Sequence, residues 1–262
     1  MKTFKLTISI VCYAIGLVTI AYYIDFFTGF IVPKSINSGS PDSFLNALFV
    51  DLLLLILFGL QHTLMARTGF KRWFASVFPK SLTRSVYILL TCLTLGLLIW
   101  FWQPIPLTIY DYRNSLAGDI LLGMYYLGWA VGLLSSFEID HFELFGIRQV
   151  FSPKKSPTDQ LKAPFFYRLV RHPNYLGWIL IHWMTPMLTI GHLLFAAGIT
   201  AYIYIGLVFE ERDLIKHFGD QYLAYKKVTP KLNPLLFPFK KLKGSKLWIR
   251  STGLLMTTLL LA

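Results

Sequence analysis

Charge is scarce in this chain. Only 15% of the 262 residues are Asp, Glu, Lys or Arg, against 55% hydrophobic, and the mean hydropathy is +0.56. That balance excludes an ordinary soluble domain and points to a bilayer. Cysteine is scarcer still: Cys12 and Cys92 both sit inside apolar runs and form no Cys-x-x-Cys pair, so neither a disulfide framework nor a cysteine zinc site is implied. The sequence has no Gly-x-Ser-x-Gly, which removes a nucleophile-elbow hydrolase, and no glycine-rich phosphate loop. Its six histidines form no His-x-x-x-His or His-x-x-His-His box, so a di-iron desaturase is not supported and no metal is expected. Internal repeats and low-complexity linkers are also missing, leaving one membrane domain over 1–262, with N-terminal helices over 1–137, a cofactor-binding part over 138–234 and a basic tail over 235–262.

What the chain has is long apolar runs. A spanning helix needs roughly 20 mostly apolar residues, and Phe4–Phe27, Phe44–Met65, Val86–Trp102 and Leu116–Phe137 each qualify. A longer run from Tyr175 to Phe209 is interrupted at Thr185-Pro186 and at Gly191-His192, which reads as two shorter helices in a tight hairpin. The fold expected is all-α, a polytopic membrane protein of about five to six transmembrane helices with a cytosolic cofactor pocket. Lys2 and Lys5 precede the first run, but no small-residue cleavage site follows it, so it reads as an uncleaved span.

Basic charge sets the orientation. Arg67, Lys71, Arg72, Lys80 and Arg84 lie between the second and third runs, and 148–171 and 212–250 are also basic, whereas the loops around Lys34 and Arg113 are not. Both termini then face the cytosol, in a bacterial inner membrane. The formal charge of +12 sits beside the membrane, where anionic headgroups attract it, rather than in a nucleic-acid patch. Lys240, Lys241, Lys243, Lys246 and Arg250 read as a headgroup-binding face, and Leu254–Ala262, too short to span, as an interfacial segment.

Two polar signatures flank the hairpin. The first is Arg171-His172-Pro173-Asn174-Tyr175-Leu176-Gly177, where Pro173 suits the first turn of a helix and places His172 at that helix's electropositive end. The second is Glu210-Glu211-Arg212-Asp213-Leu214 with Phe218-Gly219-Asp220-Gln221-Tyr222. There Leu214, Phe218, Tyr222 and Tyr225 recur at helical spacing, and a short helix folding back is expected. Each signature has two readings: headgroup anchors and solvated helix-end charges, or a site in which the carboxylates meet a cationic group. His62, near the cytosolic end of the second run, and Asp51, three turns earlier, are intramembrane ionisable groups of the kind that mark function; His141, Asp140 and His182 share the ambiguity.

Arg-His-Pro-x-Tyr-x-Gly, an apolar hairpin, Glu-Glu-x-x-Leu, Phe-Gly-x-x-Tyr-x-x-Tyr and the following Pro230 resemble the C-terminal pattern of isoprenylcysteine carboxyl methyltransferases and related membrane enzymes. A narrower resemblance, to the bacterial methanethiol S-methyltransferase family, rests on Gln61-His62-Thr63-Leu64-Met65-Ala66-Arg67, Arg84-Ser85-Val86-Tyr87, Trp100 to Pro106, His141 to Val150, and Thr189 to Ala196. The membrane family called NnrU shares the His and Arg motif of the second helix, and Thr63 stands where Ser is common.

The resemblance implies S-adenosylmethionine as methyl donor, with Arg171, His172, Pro173, Tyr175, Gly177, Glu210, Glu211 and Tyr222 binding or framing it. It implies methanethiol as the acceptor, dimethyl sulfide as the product, and His62, His141, Glu143 and Arg148 nearest the thiol; Asp51 joins the catalytic candidates as an orienting partner for His62, read from its place on the same helix face. Membrane lipid is the other partner expected. Three further readings stay open at this stage: a carboxyl or other lipid-borne methyltransferase, a haem-handling protein of the NnrU type, and a nicotinamide-dependent sterol-type reductase. The last usually has Gly-Glu where this chain has Gly177-Trp178.

Overall fold

The computed structural model describes residues 2–40, 42–151 and 161–236. The basic face at Lys240 to Arg250 and the segment Leu254–Ala262 lie outside the described residues.

Four long helices fall within a few residues of the apolar runs: α1 (Lys2–Thr28), α2 (Phe44–Ala66), α4 (Thr83–Phe101) and α5 (Leu116–Ile139). Between α2 and α4 lies the short amphipathic α3 (Thr68–Val77). The ends of these helices are set by local chemistry. Ser43 and Ser115 cap α2 and α5 by accepting from the amides of Asn46 and Gly118. Asp25 closes α1 by accepting from the amides of Phe30, Ile31 and Val32. After α5 come three short helices, α6 (His141–Leu144), α7 (Arg148–Phe151) and α8 (Phe165–Leu169), then α9 (Pro173–Trp183), α10 (Ile190–Phe218) and α11 (Asp220–Val228).

The hairpin differs from the expectation of two shorter helices. Its first arm, α9, has 11 residues and its second, α10, has 29. The only break is Met184 to Thr189, for Gly191 and His192 lie inside the first turn of α10, where the Thr189 hydroxyl oxygen accepts from the His192 amide. Thr108–Asp111 (β1) and Met187–Thr189 (β2) pair antiparallel, a ribbon the sequence reading lacked. Nor does α10 stop at Glu210-Glu211; it runs on to Phe218, where Gly219 at φ +54° turns the chain into α11.

Five helices, starting at Thr3, Phe44, Lys80, Leu116 and Ile190, are long and apolar enough to cross a membrane. The chain nonetheless traverses the bundle six times. Its 11-residue α9 rises about 16 Å, and the chain from Met184 to Thr189, extended over Met187–Thr189, carries on past it toward the start of the 24-residue α5 beside it. The contacts agree: Asn174 Nδ2 donates to Gly132 O, and the Tyr112 amide donates to Pro186 O at the other end. The two helices approach closely because three glycines meet. A Cβ at Gly177 would lie 2.7 Å from Gly128 O and 2.8 Å from Gly132 N. Six traverses bring the start of α1 and the end of α10 to the same end of the bundle.

The main core, around Phe26, Trp102, Phe195 and Leu207, fills the bundle. A second cluster of Ile139, Tyr167, Leu214, Phe218, Tyr222 and Tyr225 packs α8 and α11 against the ends of α5 and α10. The helical spacing in the second signature is therefore a packing face.

Candidate functional site

The two polar signatures meet in one buried cluster. Arg171 Nε and Nη2 donate to Glu211 Oε1 at 2.9 and 2.7 Å, and Nη1 donates to Thr229 O at 2.5 Å and Lys226 O at 3.3 Å. The Arg171 amide also reaches Pro230 O, and that of His172 reaches Lys231 O. Arg171 thus ties the start of α9 to α10 and to the end of α11, consuming donors from every guanidinium nitrogen. His172 lies between the carboxylates, its Nδ1 3.2 Å from Glu210 Oε1 and its Nε2 3.2 Å from Glu211 Oε1. Tyr175 OH donates to Glu210 Oε2 at 2.9 Å, and Lys226 Nζ pairs with Glu211 Oε2 at 2.9 Å.

Charge balance explains why so polar a set can be buried. Burial disfavours the His172 imidazolium, but Glu210 and Glu211 outweigh it and hold His172 above its ordinary value. Two carboxylates then face an imidazolium, a guanidinium and an ammonium. Two hydroxyls at this cluster, those of Tyr167 and Tyr222, lack a hydrogen-bond partner, both rings being almost wholly buried, while Glu210 Oε1 is met by the His172 ion pair. Unsatisfied buried polar atoms suit a polar, cation-bearing ligand. Pro173 starts α9 and Gly177 faces α5, so both shape the helix rather than line the cluster.

A second group sits at the same end of the bundle. The Tyr87 hydroxyl lies 2.8 Å from His62 Nε2 and 3.0 Å from Nδ1, with the ring of Phe58 stacked on His62. Arg84 lies 4.6 Å over the Tyr87 ring and its Nε donates to Leu144 O, which joins α4 to the segment after α5. Tyr202, on the same helix as Glu210 and Glu211, sets its ring edge-on to His62 with centroids 6.0 Å apart, so this group adjoins the helix that carries the carboxylates. Tyr87 and Glu143 line a cavity of about 320 Å³. Arg84 and Tyr87 belong to the motifs that carry the resemblance but not to the expected site; the helical spacing of Arg84, Tyr87 and Thr91, which puts three polar groups on one face of an apolar helix, is the signal in the sequence.

Other expected residues serve as braces. His141 is held on both nitrogens: Ser136 Oγ already donates to Leu133 O, so it accepts from Nδ1–H at 2.8 Å, leaving Nε2 to accept from Tyr13 OH at 3.0 Å. Burial lowers its proton affinity, consistent with a neutral ring. Arg148 pairs with Asp140, which also caps α6. Asp51 is not brought to this group. Eleven residues along α2 place it about 16 Å from His62, at the opposite end, where Oδ1 accepts from the Gln103 amide at 2.8 Å. His182 is fixed there too, between Tyr23 OH and Trp178 O. Among the described residues no group of three or more His, Cys, Asp or Glu is placed to hold a metal.

Comparison with known proteins bears on this arrangement. The model of the isoprenylcysteine carboxyl methyltransferase (ICMT) family matches residues 144–216, which contain α9, both carboxylates and most of α10. A methanethiol S-methyltransferase of Crocosphaera subtropica is 41% identical over 238 residues, covering 90% of this chain and 93% of that protein. Methanethiol S-methyltransferase 2 of Bradyrhizobium diazoefficiens is 44% identical over 91% of this chain and 93% of its own length. Nurim of Xenopus laevis is 32% identical over 75% of this chain and 77% of its own length. No solved structure matches the chain.

Proposed function

We propose, since this chain belongs to the methanethiol S-methyltransferase family, that it transfers a methyl group from S-adenosylmethionine to methanethiol, giving dimethyl sulfide. The observation that carries this reading is the Arg171–His172–Glu210–Glu211 cluster, with its unsatisfied tyrosine hydroxyls, adjoining the His62–Tyr87 pair. S-adenosylmethionine carries an ammonium, ribose hydroxyls and a carboxylate, and supplies an electrophilic methyl on a sulfonium. Glu210, Tyr167 and Tyr222 would hold its polar groups, while Arg171 fixes Glu211 and His172.

The acceptor must lose a proton. A thiol with the ordinary cysteine value of about 8.5 is only a few per cent thiolate at neutral pH, a cost of about 2 kcal/mol. Tyr87 and His62 form the hydrogen-bonded pair positioned to take that proton, and Arg84 beside them favours the anion. Thiolate attack on a sulfonium neutralises charge, so an apolar surround favours it, and alignment supplies much of the rest. Orientation in a bacterial inner membrane with both termini cytosolic is part of the same reading, resting on the basic loops.

Headspace chromatography of anaerobic membranes given S-adenosylmethionine and methanethiol tests it. Dimethyl sulfide from the parent chain, and none from a His172→Ala, Glu210→Ala variant that has lost donor binding in calorimetry, is the expected result. Donor affinity unchanged in that variant would remove the cluster from the donor site. A parent chain that neither binds the donor nor makes product would overturn the reading in favour of a non-enzymatic membrane protein.

A further inference from the structure

The cavity beside Tyr87 is too large and too basic for methanethiol alone. Its volume of about 320 Å³ equals roughly ten waters at about 30 Å³ each, whereas methanethiol is one carbon and one sulfur. Lys71, Lys80 and Arg84 line it against the single carboxylate of Glu143. Met65, Phe70 and Phe74 supply an apolar stretch. A pocket with an excess of cations, an apolar stretch and the Tyr87–His62 pair in or behind its wall matches a molecule with an anion at one end and a thiol at the other.

We propose that this cavity is the acceptor pocket and that it takes short thiols bearing a carboxylate, of the 3-mercaptopropionate kind, in addition to methanethiol. The inference rests on the methyl-transfer reading above. In the step, the S–H bond breaks and its proton passes to the Tyr87–His62 pair. The thiolate sulfur forms a bond to the methyl carbon, and the donor's S–CH3 bond breaks, its electron pair remaining on the donor sulfur as a neutral sulfide. The carboxylate takes no part; Lys71 and Lys80 hold it.

Membranes carrying the full chain, given S-adenosylmethionine and separately methanethiol, 3-mercaptopropionate or 1-butanethiol, provide the test, with S-methylated products measured by mass spectrometry. The expected result is methylation of all three, with kcat/KM for 3-mercaptopropionate roughly tenfold or more above that for the neutral 1-butanethiol. A Lys71→Met, Lys80→Met variant should bring that ratio close to one, and the ratio cancels any general loss of folded enzyme. Methylation of methanethiol without 3-mercaptopropionate, or a ratio unmoved by the double substitution, overturns the inference and leaves the function standing. Failure with methanethiol as well would remove the function and the inference together.

Discussion

The two ends of the bundle bury the same kinds of side chain and treat them differently. At one end Tyr23, Asp51, His182 and His192 are buried, and the contacts they make are with hydroxyls, backbone amides and backbone carbonyls: Tyr23 OH donates to His182 Nε2 at 2.6 Å, His182 Nδ1 donates to Trp178 O at 2.6 Å, and His192 Nε2 donates to His182 O at 2.9 Å. At the other end Arg171, His172, Glu210 and Glu211 are buried against one another's charges. Polar groups tied to fixed hydroxyls and backbone groups build a helix junction, even though Asp51 Oδ2 and His192 Nδ1 are left without a hydrogen-bond partner. Charges buried against opposite charges are expensive, and removing one strands the other, an arrangement that suits a site.

That contrast gives an order of expected effects. Glu211→Ala strands Arg171 and should cost about 3–5 kcal/mol, seen as a large fall in the melting temperature in detergent together with lost donor binding; a loss no greater than that of a neutral far-end substitution would erase the distinction. Tyr87→Phe keeps the ring and removes the hydroxyl facing His62. It should lower kcat by roughly 10²-fold with donor affinity unchanged, and equal losses in kcat and donor affinity would make it a packing residue. Gly177→Ala drives a Cβ into Gly128 and Gly132 and should cost about 1–3 kcal/mol of stability without selective loss of either substrate.

The smaller effects sharpen the comparison. His172 has its proton affinity raised in the fold, so its contribution to stability is complete below its ordinary value of 6.5 and is lost as pH rises through the higher folded value. Melting temperature should therefore fall across that rise, and the trend should flatten in His172→Gln; an opposite slope would mean a neutral His172. Asp51→Asn should leave kcat within about twofold, as expected of a distant independent position. A fall as deep as that of Tyr87→Phe would couple the two ends.

Much of this was legible from residue order. Four spans follow from apolar run length, and the joining of Arg171–Gly177 with Glu210–Glu211 follows from motifs placed at the two ends of one hairpin. The unequal arms of that hairpin were not legible, because α9 completes its crossing in extended chain that pairs with Thr108–Asp111, a partner about eighty residues distant. Asp51 misled for a related reason. Helical periodicity fixes which face a residue shares but says nothing about depth, and about 16 Å along one face is the difference between the two ends of the membrane. The hold on His141 was only half legible, since Ser136 lies five residues before it while Tyr13 comes from a helix that only packing brings to it.

The sequence by itself determined that the chain lies in a membrane, where four of its long helices run, and that two polar signatures share one end of a hairpin. These are properties of hydropathy and local spacing, which act along the chain. Only the tertiary structure decided which ionisable groups meet. It turned Arg171 inward onto Glu211, set His172 between two carboxylates, paired Tyr87 with His62 and left the basic cavity beside them, because the free energy of a buried charge depends on the groups that folding brings within a few ångströms, not on those adjacent in sequence.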